Sequence, residues 1–179
     1  MSVTPQDILS FWFDETPTKQ HFIRDDDFDR SIRDRFQAVY NDAAAGQLDD
    51  WAKTAEGTLA LIILLDQFSR NLYRDSPKAF DQDLKTIKLV TNAIERGDDL
   101  ALPETRRAFL YLPLMHSEDL SMQEKCVALF RERLPGSPNI PFAEQHHATI
   151  KKFGRFPYRN AALGRETTPA ELKYLEGNT

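Results

Sequence analysis

The sequence predicts an all-α fold, organised as one helical domain over residues 1–179. Apolar residues recur at helical spacing, Ser or Thr followed by Pro marks several helix starts, and no stretch alternates apolar and polar residues as a strand does. A domain of 179 residues buries roughly 70% of the surface that its unfolded chain exposes, so it needs no disulfide or metal for stability. We expect about seven to eight helices with short connectors, so that consecutive helices pack as antiparallel neighbours.

Three helices are predicted in the first 73 residues. Thr4-Pro5-Gln6-Asp7 has the pattern of an N-cap, a proline and an acidic residue, and it begins a helix that ends near Asp14. The second helix is predicted over 26–45 and the third over 54–73. Because the segment Leu59–Leu65 is apolar on every side, we expect the third helix to be buried all round.

The later helices are predicted mainly from their starting residues. We expect Leu84 to face the core and Pro113 to kink or stop the fifth helix. The sixth helix begins either at the capping-box pattern Ser121-Met122-Gln123-Glu124 or earlier, near Ser117. The other predicted starts are Ser76-Pro77, Pro103, Phe142 and Thr168-Pro169-Ala170-Glu171.

Composition excludes several classes of protein. With 41% apolar residues, 28% charged residues and a net charge of −5, the chain is not globally disordered. Its longest apolar run, Leu59–Leu65, is far shorter than the ~20 residues of a membrane span, and the N-terminus lacks the features of a signal peptide. The single cysteine, Cys126, cannot form an internal disulfide, which fits a reducing compartment. We expect a cytoplasmic protein with no membrane partner.

A first group of polar residues follows directly on the apolar run. Asp66 shares its helix face with apolar residues, and a buried carboxylate is costly without partners. Arg70, one turn later, is the nearest partner, and Gln67 and Asn71 form a parallel i, i+4 pair. Two interpretations remain open: an internal salt bridge that fixes helix packing, or a set of ligand-binding groups.

A second group, His116-Ser117-Glu118, follows another apolar segment next to the predicted proline break. Backbone amides released at such a break can bind anions or donate hydrogen bonds to a capping side chain. His116 and Glu118 therefore either cap the following helix or act in catalysis.

A third group, residues 153–160 with Arg165, interleaves aromatic rings and arginines in a Gly/Pro segment. Arginine suits carboxylates and phosphates and also stacks on rings, so Arg155, Arg159 and Asn160 are candidate ligand-binding residues. Single-stranded nucleic-acid binding shares this pattern, but the net charge of −5 disfavours it. If the three groups converge, four arginines face two carboxylates, and the surplus of two positive charges suits an anionic ligand.

Signals for metal or cofactor binding are weak. Glu144-Gln145-His146-His147 contains one Glu-x-x-His step, whereas di-iron bundles need two such motifs and further carboxylates. There is no glycine-rich phosphate loop, nucleophile elbow or paired-cysteine zinc pattern, so we expect no cofactor and no metal. His146 or His147 is either a general base or an ordinary surface histidine. The acidic cluster of Asp25-Asp26-Asp27 and Asp29 is interpreted as charge bias at a helix start.

Three blocks also carry a resemblance to a known family. LALIILLDQFSRN (59–71), YLPLMHSE (111–118) and FGRFPYRN (153–160) resemble the signature blocks of domain-of-unknown-function family 924, and the likeness begins at ILSFWF (8–13). The resemblance implies an all-helical fold similar to tetratricopeptide repeats, a right-handed superhelix of helix pairs, although no 34-residue repeat is visible. No established activity accompanies the name.

The resemblance also bears on single positions. The family places a histidine seven residues before its Phe-Gly-Arg-Phe-Pro block, which selects His146 over His147 here. The family often has histidine where this chain has Tyr158 and proline where it has Ser69, so position 158 is a doubtful acid or base.

Two functional hypotheses follow. In the first, the protein binds a small anionic metabolite in a polar pocket and acts on it by hydrolysis or lyase-type proton transfer. Its catalytic candidates are His116, Glu118 and His146, and its ligand-binding candidates are Asp66, Gln67, Arg70, Asn71, Arg155, Arg159 and Asn160. In the second, it is a scaffold that binds a protein or peptide along a groove.

Overall fold

The computed structural model describes residues 2–177, and every regular element in that range is helical. The all-α prediction is therefore confirmed. The α-helices are α1 Pro5–Ser10, α2 Asp26–Ala44, α3 Ala55–Ile62, α4 Ser69–Leu72, α5 Asp83–Arg96, α6 Asp98–Ala101, α7 Glu104–Met115, α8 Leu120–Arg133, α9 Ile140–Phe153 and α10 Pro169–Glu176. Short 3₁₀ helices occupy Thr18–Phe22, Asp49–Lys53, Pro77–Phe80 and Pro157–Arg159.

Two segments wind as π-helix rather than α-helix. Phe11–Glu15 continues α1, and Ile63–Phe68 joins α3 to α4 without a break, so the predicted helix over 54–73 is present but changes its winding in the middle. π-Helical turns are rare and often lie at functional sites. Here the second one carries Asp66 and Gln67.

Helix ends largely follow the predicted residue chemistry. Thr4 and Asp7 form a complete capping box at α1, and Thr168 and Glu171 form another at α10. At α5 the chain turns away through Gly97, whose φ of 76° lies in the left-handed region that favours glycine.

The structure corrects one local expectation and refines two others. Leu84 is 77% exposed, because the inward face of α5 is formed by Thr86, Val90 and Ala93. Pro113 lies inside α7, which ends two residues later, so the proline removes one hydrogen bond near the end of the helix without stopping it. The cap of α8 is Asp119, whose carboxylate accepts the amides of Ser121 and Met122.

Contacts divide the described chain into two compact units. The N-terminal unit comprises residues 2–74 and 78–113, and the C-terminal unit comprises residues 75–77 and 114–177. In the N-terminal unit the segment Leu59–Leu65 is 0% exposed, as its composition predicts, and Phe68 packs against the rings of Phe11, Trp12 and Phe36.

The C-terminal unit has its own core between α8 and α9, which pack along each other. Cys126 and Phe130 of α8 and Ala143 and Ile150 of α9 are buried there. Burial raises the pKa of the Cys126 thiol to about 12, so this cysteine is a core residue rather than a reactive one.

Candidate functional site

The first predicted group forms an ion-pair network inside the N-terminal unit. Asp66 is 0% exposed, and Arg70 Nη1 lies 3.0 Å from its Oδ1 atom. Gln67 Nε2 donates to Asp66 Oδ2 at 2.6 Å, and Arg70 Nη2 donates to Asp83 Oδ1 at 3.0 Å. The Asp66–Arg70 salt bridge that the i, i+4 spacing indicates is present. Through the second contact of Arg70, to Asp83, the network joins the π-helical turn to α5.

Asn71 does not take part in that network. Its Nδ2 atom donates to Asp29 Oδ1 at 2.7 Å, whereas Gln67 donates to Asp66. The two amides were predicted to pair with each other, but each serves a different carboxylate. Asp29 also binds the guanidinium of Arg74, so it does more than bias the charge at the start of α2.

In the C-terminal unit, Glu118 links the other two predicted groups. Its Oε1 atom accepts the backbone N–H of Phe156 at 2.8 Å, and its two carboxylate oxygens accept Arg165 Nη1 and Nη2 at 2.8 and 2.7 Å. Burial opposes ionisation, but the bonds from Arg165 and Phe156 outweigh it and lower the pKa of Glu118 below its ordinary value. Glu118 is thus an ionised, positioned carboxylate and not a proton donor at neutral pH.

His146 and Arg159 lie against the same ring, that of Phe156, and Arg159 also contacts the backbone of His116. Arg159 is only 4% exposed, its guanidinium lies 4.8 Å from the Phe156 ring centroid, and its Nη2 atom donates to the His116 carbonyl at 2.8 Å. The His146 ring lies 5.2 Å from the Phe156 ring in an edge-on arrangement. The structure therefore brings together, within this unit, the predicted catalytic candidates and one predicted binding residue.

The protonation state of His146 follows from its contacts. Its Nδ1 atom lies 2.8 Å from the Phe142 carbonyl, which only accepts hydrogen bonds, so Nδ1 carries the proton and Nε2 carries the lone pair. The pKa of His146 is lowered to about 4: burial is the main cause, the charges of His116 and Arg159 act in the same direction, and the Phe142 carbonyl opposes them. A neutral imidazole at neutral pH is able to accept a proton.

Arg155 and Asn160 lie against a carboxylate that the sequence analysis treated only as a helix cap. Arg155 Nε and Nη2 donate to the two carboxylate oxygens of Glu171 at 2.7 and 2.9 Å, and Asn160 Nδ2 lies 3.3 Å from Glu171 Oε2. The bond from Arg155, followed by the N-cap bonds from Thr168, lowers the pKa of Glu171 to about 2. These residues hold the start of α10 in place.

The charge balance differs from the predicted one. Asp83 and Glu171 add two carboxylates to the set, so the predicted surplus of two positive charges over all three groups is wrong. In the C-terminal unit by itself, Arg155, Arg159 and Arg165 face Glu118 and Glu171, which leaves one positive charge in excess. The two carboxylates were missed because neither lies beside its arginine in the sequence.

The N-terminal unit also contains a cleft that the sequence does not predict. A cavity of about 290 Å³ lies where the start of α2 meets the end of α4. Four arginines and two aspartates supply most of its lining: Arg24, Arg30, Arg33, Arg74, Asp26 and Asp29. Asn71 is the one predicted site residue that lines it. The basic residues of this region alternate with acidic ones, which concealed the cluster.

Two further searches of the described chain bear on the site. Among residues 2–177, no group of three or more His, Cys, Asp or Glu side chains is arranged to hold a metal ion. Over the same residues, none of the helices has the length and apolar character that crossing a membrane requires.

Comparison with known proteins gives a family but no activity. A family model described as "Bacterial protein of unknown function (DUF924)" matches residues 8–179. A solved structure, of the protein of unknown function ATU0120 from Agrobacterium tumefaciens, is 40% identical in sequence and has a TM-score of 0.91, with 97% of each chain covered. No curated protein matches the chain. The match over nearly all residues means that the chain belongs to the DUF924 family of bacterial proteins of unknown function.

Proposed function

We propose that the C-terminal unit binds a small anionic molecule beside Phe156, between Arg159, His116 and His146. The observation that carries the proposal is that the Arg159 guanidinium and the His146 imidazole lie against the Phe156 ring, and that Arg159 also donates to the His116 carbonyl, although their sequence blocks are far apart. The neighbouring positive charges lower the pKa of His146, and a bound anion opposes that effect.

Each residue then has a distinct part. Arg159 supplies the fixed positive charge, and its low exposure limits the water that competes with a ligand. Glu118 positions the segment through its bonds to Phe156 and Arg165 and does not contact the ligand. His146, neutral with its lone pair on Nε2, is the candidate proton acceptor, which suits the hydrolysis or lyase-type transfer expected from the sequence.

The predicted residues of the N-terminal unit then have a structural role and do not bind the ligand. Asp66, Gln67 and Arg70 are bonded to one another and to Asp83. Arg155 and Asn160 likewise serve Glu171. No observation on the described residues favours the alternative, a peptide-binding scaffold, over the anion site.

The test is a thermal-shift screen of the full chain against phosphorylated and carboxylated metabolites. We expect an anion that raises the melting temperature of the native protein and of His147→Gln, a matched control at the neighbouring histidine. The same anion should have little effect on His146→Gln or Arg159→Gln. Since Arg159 is buried, circular dichroism of Arg159→Gln must first show a folded protein.

A second measurement follows the protonation of His146 directly. In an NMR pH titration, the bound anion should raise the pKa of His146 from about 4 towards the ordinary value of 6.5, because the negative charge offsets those of His116 and Arg159. An anion that stabilises the protein but leaves the His146 titration unchanged would place the binding elsewhere and overturn the proposal.

A further inference from the structure

The arginine-lined cleft of the N-terminal unit is independent of the site proposed above. Four guanidinium groups and two carboxylates line it, so its charge count is a surplus of two positive charges. The lining residues also include Asn71 and Leu72, and none of the described lining residues is aromatic. A cavity with this lining is polar and positively charged.

One wall of the cleft is fixed by a buried carboxylate. Asp29 is 6% exposed, and it accepts hydrogen bonds from Asn71 Nδ2 at 2.7 Å and from Arg74 Nη2 at 2.8 Å. Arg74 Nε also donates to Asp29. A guanidinium held at its Nε edge by a buried partner is oriented before a ligand arrives, which lowers the cost of binding.

The opposite wall consists of side chains that are able to move. Arg24 is 3.9 Å from Asp26 and Arg30 is 3.0 Å from Asp27, and in both pairs each side chain is more than 60% exposed. Exposed pairs of this kind contribute little energy and are readily rearranged. Arg33 Nη2 makes a long contact of 3.4 Å to the Leu72 carbonyl. Arg30 and Arg33 can therefore turn towards an anion at small cost.

The backbone does not supply this site. The N-terminal amides of α2 at Asp27 and Phe28 are already bonded to the Asp25 side chain. An anion in the cleft would be bound by guanidinium groups, whose planar forks suit the oxygens of a phosphate.

We propose that this cleft binds the phosphate group of a small phosphorylated molecule. A dianionic phosphate matches the surplus of two charges. The volume of about 290 Å³ lies at the lower limit of ligand pockets, and the lining offers no ring on which a nucleobase stacks. A small, non-aromatic phosphate ester fits these features better than a nucleotide or a nucleic acid.

The experiment is isothermal titration calorimetry of the full chain with inorganic phosphate, at constant ionic strength and pH 7.5. We expect saturable binding to one site per chain, weakened at least tenfold in Arg33→Gln. Arg33 is exposed, so the variant should fold. The matched control is Arg35→Gln on the same helix, which removes an arginine outside the cleft and should leave the affinity unchanged.

Four outcomes overturn the proposal. The first is heat that does not saturate, or that sodium chloride of equal ionic strength reproduces. The second is equal weakening in Arg33→Gln and Arg35→Gln, which would indicate a general charge effect. The third is an Arg33-dependent affinity for a single-stranded oligonucleotide that exceeds the affinity for phosphate. Loss of binding in His146→Gln with full binding in Arg33→Gln would assign the phosphate to the C-terminal unit and equally reject the cleft.

Discussion

Asp66 and Glu118 are alike in sequence context and different in structure. Each follows an apolar helical segment, and each is paired with an arginine. Asp66 is 0% exposed and its arginine is four residues away on the same helix, whereas 23% of the Glu118 side chain is exposed and its arginine is 47 residues away. The comparison shows that an apolar run followed by a carboxylate predicts an ion pair but not its role: the Asp66 pair lies in a buried core, and the Glu118 pair holds the segment at Phe156.

The largest effect is expected at the buried pair. Asp66→Asn should lower the free energy of unfolding by about 3 kcal/mol, because it leaves Arg70 beside a neutral amide in a buried position. Urea denaturation followed by circular dichroism measures the change. Asp83→Asn is the control on the same arginine and should cost less, since Asp83 is partly exposed. If both variants lowered the free energy of unfolding equally, burial of the carboxylate would not be the main cause of the Asp66→Asn effect.

A smaller effect is expected at the partly exposed pair. Arg165→Gln removes two charge-assisted hydrogen bonds from Glu118, although Glu118 still accepts the hydrogen bond from the Phe156 amide. The variant should lower the free energy of unfolding by about 1–2 kcal/mol. Arg165→Lys keeps the charge without the planar fork and should lose part of that amount. If Arg165→Gln proved as costly as Asp66→Asn, the distinction between the two pairs would fail.

The third predicted effect depends most sharply on acid and concerns Glu171. Its pKa is about 2 in the folded protein against an ordinary value of 4.5, so its contribution to stability is complete above pH 4.5 and is lost as the pH falls towards 2. Glu171→Gln should therefore be less stable than the native chain at pH 7, and the difference should narrow between pH 4.5 and 2. Urea midpoints measured across that range test this. A constant difference would mean that Arg155 contacts Glu171 without favouring its charge.

Much of the fold follows from the sequence because its determinants are local. The capping boxes at Thr4 and Thr168, and the wholly apolar segment Leu59–Leu65, each contain the information that fixes them. The errors arise where a tertiary contact or a helix face decides the outcome. Leu84 is a strong apolar signal, yet it points outward because smaller residues form the packed face of α5.

In the candidate sites, too, contacts between neighbours in the sequence can be predicted and contacts between distant residues cannot. The Asp66–Arg70 bridge is visible from i, i+4 spacing, whereas the choice of His146 over His147 rests on the family resemblance, and no local pattern encodes its contact with Phe156. The pairing of Arg155 with Glu171 and that of Arg74 with Asp29 bridge 16 and 45 residues. No local pattern encodes such pairs, which is why the charge count failed and the cleft was overlooked.

The widened turn at Ile63–Phe68 has a consequence for evolution and engineering of the chain. A π-turn accommodates more residues than an α-turn, so removing one residue there would restore ordinary winding without breaking the helix. Because the wide turn absorbs the additional residue, every position downstream of the deletion would keep its orientation about the helix axis. Asn71 and Arg74 would stay against the Asp29 carboxylate that now holds them. A single-codon deletion at this point would thus spare the helix and these contacts, and would change only the turn that carries Asp66 and Gln67.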